Sequence, residues 1–154
     1  MALANPCINY VDELNNLRDV YVSVPPRARL NVIRRRLAQP EIGPTRLVTI
    51  VSAVEALARS IAVRARNIDG TEISIIYATY RYKDPKVLVA EVLKLHDFSE
   101  PAIYFMSDTW LLFGHAVDFR NLVVHECTYL GQDKYPSLIE ASEEVLSAMI
   151  ELVG

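Results

Sequence analysis

Between Leu47 and Ala65, apolar residues recur three and four positions apart: Leu47, Ile50, Val51, Val54, Leu57, Ala58, Ile61 and Ala65. That spacing draws one stripe along a helix of 3.6 residues per turn, so residues 45–66 read as the clearest helix in the chain. Asn67 and Asp69-Gly70 supply turn chemistry at its end. Upstream, residues 9–24 place Tyr10, Leu14, Leu17, Val20 and Tyr21 at helical spacing until Pro25-Pro26. Two prolines remove two backbone donors and bias the preceding residue away from helix. A second short helix starts at Pro26 or Arg27 and runs through Ala38, ended by Gln39-Pro40 and Gly43-Pro44.

Residues 72–82 are ambiguous. Ile73, Ile75, Ile76 and Tyr77 have strand-like composition, but nothing nearby offers a pairing strand, so the segment is expected to be helical or irregular. Asp84 fits an N-cap ahead of Pro85 at the first helical position, with helical spacing from Val87 to His96. Ser107-Asp108 is expected to cap a long helix through about Leu130, ended by Gly131, and Pro136 or Ser137 to open a last helix to Leu152. Its apolar positions are Leu138, Ile139, Val145, Leu146, Met149 and Ile150. These elements predict a single all-α domain over residues 1–154, a bundle of five to seven helices with short connections.

Composition agrees with a globular domain: 154 residues, 51% hydrophobic and 23% charged, are enough to bury a core and exclude disorder. The formal net charge of −3 disfavours a protein that coats nucleic acid non-specifically. The sum hides an asymmetry. Residues 1–66 carry ten Arg against five acids, a balance of +5, whereas residues 67–154 carry six basic residues against fourteen acids, a balance of −8. Cys7 and Cys127 lie far apart and form no metal-ligand spacing, so neither a disulfide framework nor a structural zinc is expected. The first ten residues lack the pattern of a signal peptide, and Glu55 and Arg59 interrupt the most apolar stretch. A cytoplasmic protein without a membrane span is the expectation.

The chemistry concentrates in Asp118-Phe119-Arg120-Asn121-Leu122-Val123-Val124-His125-Glu126. Asn121 and His125 are four apart and share a helix face. Arg120 lies five positions from His125, roughly 140° around the axis, a gap that a long side chain can wrap across. His exchanges protons near neutral pH, Arg grips a phosphate through its planar fork, and Asn can fix an imidazole tautomer or orient a sugar hydroxyl. That trio suits phosphodiester cleavage. With no carboxylate cluster for a two-metal site and no cofactor motif, RNA is the natural substrate, because its 2′-OH supplies the nucleophile. Bland readings compete: Arg120 as a cation paired with Asp118 or Glu126, Asn121 in an interhelical bond, and Glu55 paired with Arg59 at i,i+4. Gly114 permits close approach of another helix or protomer, while Trp110, Phe113 and Val117 read as core or dimer contacts.

Arg120-Asn121-Leu122-Val123-Val124-His125 resembles the Arg-x4–6-His motif of the HEPN superfamily, including the polar residue that commonly follows the Arg. Ala53-Val54-Glu55-Ala56-Leu57-Ala58-Arg59 resembles the Glu-bearing helix that precedes the motif in many members. The similarity in pattern covers residues 45–150 and is sharp only over residues 120–125. The resemblance implies a homodimeric helical bundle whose long motif helix lies near the C-terminus and whose two motifs face one composite cleft. It also implies metal-independent endoribonuclease activity, in a toxin–antitoxin, phage-defence or stress system, with a cognate antitoxin or regulatory protein as partner. Carried over, His125 is the general acid/base, Arg120 the phosphate-binding residue, Asn121 the polar supporter and Glu55 a residue that supports them from behind. Some family toxins carry a tyrosine two residues past the His, where a partner nucleotidyltransferase modifies it. Here Cys127 holds that position and Tyr129 comes later, at i+4 from His125.

Arg29, Arg35 and Arg36 are the candidate RNA contacts outside the motif, although a cluster such as Arg27 to Arg36 is more often a solvated helix face than an RNA track. Two other classes stand beside the ribonuclease: a non-catalytic HEPN module that binds RNA or nucleotide, and an interaction protein whose acidic half docks a basic partner.

Overall fold

The structure is a computed structural model that describes residues 1–67, 71–128 and 132–154, without the side chains of residues 20–23 and 132. The described residues form α1 (Tyr10–Ser23), α2 (Pro26–Leu37), α3 (Gly43–Arg66), α4 (Ile73–Tyr80), α5 (Pro85–Leu95), α6 (Pro101–Tyr104), α7 (Thr109–Glu126) and α8 (Tyr135–Glu151). A short 3-10 turn, Gln132–Lys134, leads into α8, and no strand occurs among the described residues. The all-α expectation holds. Eight helices exceed the expected five to seven because the chain makes a single extra turn, α6, in a segment too short to show periodicity.

α3 is the hub. Its stripe of Leu47, Ile50, Val51, Val54, Leu57, Ala58 and Ile61 is buried, and α2, α4, α5, α7 and α8 all pack on it. α8 adds Leu138, Val145, Leu146 and Met149, and α7 adds Phe113, Ala116 and Val117. Phe113 stacks on Trp110, and Trp110 on Phe105, so the aromatic run of α7 belongs to the core. Thr109 donates to Glu144, fixing the start of α7 on α8.

Residues 73–80 are helical because Ile73, Ile76, Tyr77 and Tyr80, three and four apart, turn one face onto the core. Tyr80 donates to Glu91 Oε1 of α5 at 3.0 Å, and the same oxygen accepts from Arg66 Nη2 of α3 at 2.6 Å. The Arg66 guanidinium holds the Glu91 carboxyl below the usual carboxylate range, whereas burial pushes the Tyr80 hydroxyl up.

α1 keeps the expected helix, capped by Asn9, whose side chain accepts from Asp12 N at 3.2 Å. Its apolar face differs from a core face. Tyr10, Leu14 and Leu17 stay about half exposed as α1 lies against α4, and the side chains of Val20 and Tyr21 lie outside the described residues.

Several boundaries shift. α7 stops at Glu126 instead of about Leu130, because Cys127 adopts a left-handed φ of 52° that a helix cannot continue through. The expected stop at Gly131 and the turn at Asp69-Gly70 lie outside the described residues. α3 begins at Gly43, with Pro44 in its first turn, and α8 begins at Tyr135. Asp84 caps α5 by accepting from Lys86 N at 2.8 Å, and Asp108 is the N-cap of α7 without a side-chain bond.

Candidate active site on α7 and α3

α7 crosses α3 so that Arg120 reaches the outer edge of the hub helix. Arg120 Nη2 donates to Glu55 Oε2 at 2.9 Å, and Nη1 donates to Ser52 Oγ at 3.2 Å. The other Glu55 oxygen, Oε1, accepts from Arg59 Nη2 at 2.6 Å. One carboxylate therefore serves two guanidinium groups, and the contact of Glu55 with Arg120 coexists with its i,i+4 pair to Arg59. All three side chains are shielded, at 13% exposure for Arg120, 22% for Glu55 and 14% for Arg59. Arg120 pairs with neither Asp118 nor Glu126, because both of those acids are exposed on the outer side of α7.

His125 lies about one and a half turns beyond Arg120, exposed in the last turn of α7. Among the described residues it makes no hydrogen bond or ion pair, and half-buried Asn121 makes none either. The expected bonds from Asn121 to the imidazole or to another helix are thus not formed among the described residues. His115 is exposed, and His96 caps α5 with its Nδ1 2.9 Å from Val92 O. Tyr129, the expected supporter at i+4, lies outside the described residues.

Leu111, His115, Asp118, Leu122 and His125 form an exposed stripe on α7, four and three residues apart, with Val124 exposed beside it. Gly114 borders this stripe. Among the described residues, a Cβ added there meets only Lys86 Cδ at 3.6 Å, and none of their helices uses the close approach that glycine permits.

Arg29 and Arg36, seven apart on α2, line a groove of about 390 Å³ against Val48, Ser52 and Ala56 of α3. Ser52 is shared: it lines the groove and accepts from Arg120. It is the site residue missed at the sequence level. Its position three before Glu55, on the same face of α3, carried the signal. Arg35 does not line the groove and is exposed about 100° around α2 from Arg36. Glu41, 2.8 Å from Arg36 and accepting from Thr49 at 2.5 Å, pins the α2–α3 connection beside the groove.

Among the described residues no three His, Cys, Asp or Glu side chains gather where they could share a metal ion, and no helix is long and apolar enough to cross a membrane. In comparisons with protein-family models, curated proteins and solved structures, the chain matches none.

Proposed function

We propose that the protein is a metal-independent endoribonuclease of the HEPN type, working as a homodimer in which two copies of α7 face one cleft. The observation that carries this reading is the contrast between two side chains on one helix. Arg120 is held in a fixed orientation by Glu55 and Ser52, while His125 has no partner among the described residues and is open to solvent. A positioned guanidinium suits a phosphate, and an unengaged imidazole suits a proton carrier near neutral pH.

In the reaction, an imidazole takes the proton of the RNA 2′-OH, and O2′ bonds to phosphorus as the P–O5′ bond breaks. O5′ receives a proton from the acid form of the second imidazole across the cleft. The products are a 2′,3′-cyclic phosphate and a 5′-hydroxyl. Arg120 neutralises charge on the non-bridging oxygens, and Asn121 orients the sugar or the ring. Exposed Leu111, Leu122 and Val124 give α7 an apolar outer face for the second copy. Free, exposed Cys7 and Cys127 suit a reducing cytoplasm. A cognate antitoxin, in a toxin–antitoxin, phage-defence or stress system, belongs to this reading.

One observation favours the second reading, a module that binds RNA without cutting it: Arg120 is 13% exposed, and Glu55 already neutralises it. Cleavage of mixed RNA in EDTA separates the two. The ribonuclease reading expects His125→Ala to slow cleavage by about 100-fold or more. Arg120→Lys keeps the charge but loses the fork, and it too is expected to slow cleavage. Uncut RNA that still shifts with the protein on a gel supports the binding module.

A further inference from the structure

The α2–α3 groove has features that the cleavage chemistry does not require. Val32, Ile33, Val48 and Ala56 make its walls aliphatic, and two guanidinium side chains stand on one wall. Arg29 and Arg36, seven residues apart, are separated by about 10 Å along the axis of α2. Arg36 pairs with Glu41 at 2.8 Å, and 59% of its side chain stays exposed. Thr49 and Ser52 put hydroxyls on the opposite wall, and Ser52 touches Arg120. The groove is therefore continuous with the candidate active site.

These properties select a ligand. An aliphatic trough flanked by cations fits a chain whose uncharged, flat groups alternate with anions. The charges agree: among the described residues, Arg29, Arg36, Arg59 and Arg120 stand against Glu41 and Glu55 around the groove and its adjoining site. A volume of about 390 Å³ falls at the small end of small-molecule sites, which span roughly 300–1,000 Å³. Such a trough admits one base with its sugar, not a duplex. Unpaired RNA can supply that base, because single strands present unstacked bases to proteins, and guanidinium planes stack on them.

We infer that the groove between α2 and α3 is a subsite for one unstacked nucleotide of single-stranded RNA, with Arg29 and Arg36 on the flanking phosphates as the strand runs toward Arg120. The inference rests on the ribonuclease reading for the direction of the strand. It concerns binding, so its failure can be told from that of the reading. A strand held here presents the neighbouring linkage to Arg120, which makes the groove a selector of unpaired substrate.

The test is fluorescence anisotropy with an uncleavable, fully 2′-O-methyl octanucleotide and, in parallel, a hairpin of the same composition. Val32 is 43% exposed at the groove, so Val32→Glu introduces a carboxylate without entering the core. It is expected to weaken octanucleotide binding about tenfold. Arg29→Ala is expected to weaken it and to lower the salt slope by about one, a readout that a loss of packing would not move. Val87→Glu, on the exposed side of α5, serves as the control and leaves binding unchanged. Helicity and melting temperature confirm that each variant is folded.

Cleavage of RNA by a protein whose groove variants still bind the octanucleotide as tightly as wild type overturns the subsite and leaves the ribonuclease reading intact. Groove-dependent binding without cleavage supports the subsite and removes the reading. Three results overturn the subsite outright: no binding by the wild type, equal affinity for hairpin and single strand, or displacement of the RNA by poly-glutamate at matched charge.

Discussion

Glu55 divides its two oxygens between Arg59 and Arg120, so its removal leaves two shielded guanidinium groups facing one another. Stripping one partner from a buried ion pair costs about 3–5 kcal/mol, and the partial exposure here reduces that to about 2 kcal/mol. Urea unfolding of Glu55→Ala, Arg120→Ala and the double variant is expected to give a coupling energy of about 1–2 kcal/mol. Additive effects would mean that the pair does not hold α7 to α3. A different residue carries backbone strain. Asp97 sits at φ 60° after α5, where Phe98 N bonds Leu93 O at 2.9 Å and Asp97 N bonds Lys94 O at 3.1 Å. That double bond pattern is a Schellman close with an Asp where glycine is favoured. Asp97→Gly is expected to stabilise the protein by about 0.5–1 kcal/mol in the same measurement. Glu55 was legible in the sequence because it has Arg59 four residues on and lies in the longest apolar stripe. The contact of Ser52 with Arg120 was not, since it depends on how α7 crosses α3.

Helix periodicity in the sequence located the elements well where one face is apolar and the other polar, as in α3 and α8. It failed in three instructive ways. α4 has β-branched composition, and only the burial of Ile76 and Tyr80 on α3 decides for helix. α6 is one turn long and leaves no pattern. α7 is apolar on both sides, so the end of its stripe gave no boundary, and the left-handed Cys127 supplies one. α3, α4 and α5 are also joined by a polar clamp, Arg66–Glu91–Tyr80. Because pairing with Arg66 lowers the pKa of Glu91 in the folded state, its contribution is present above the ordinary value of 4.5 and is lost as pH falls through the depressed one. Glu91→Gln is accordingly expected to melt below wild type at pH 7, with the gap closing as pH falls below 4.5. A gap that stays constant across this range would show that the clamp works through shape alone.

At the scale of the whole molecule, a net charge of −3 coexists with a groove and site in which, among the described residues, four arginines meet two glutamates. The basic character of residues 1–66 was visible in the composition. Which arginines face the site was not, because α2 spreads them around its axis: Arg29 and Arg36 reach the groove, while Arg34 joins Arg27 in a different one. The exposed stripe of α7 bears on assembly. Sedimentation at micromolar concentration is expected to show twice 17.4 kDa, and Leu111→Glu with Leu122→Glu is expected to reduce it to the single mass. Gly114→Ala separates the roles of that position. It is expected to stabilise the isolated helix by about 0.5–1 kcal/mol, and to weaken the dimer if a second α7 packs there. The central claim, that Arg120 and His125 cut RNA through its own 2′-OH, is tested most directly by mass spectrometry of RNA ends after incubation in EDTA. New 2′,3′-cyclic phosphate and 5′-hydroxyl ends from the wild type, absent with His125→Ala, are the predicted result. Intact RNA, or cleavage that proceeds equally with His125→Ala, would contradict it.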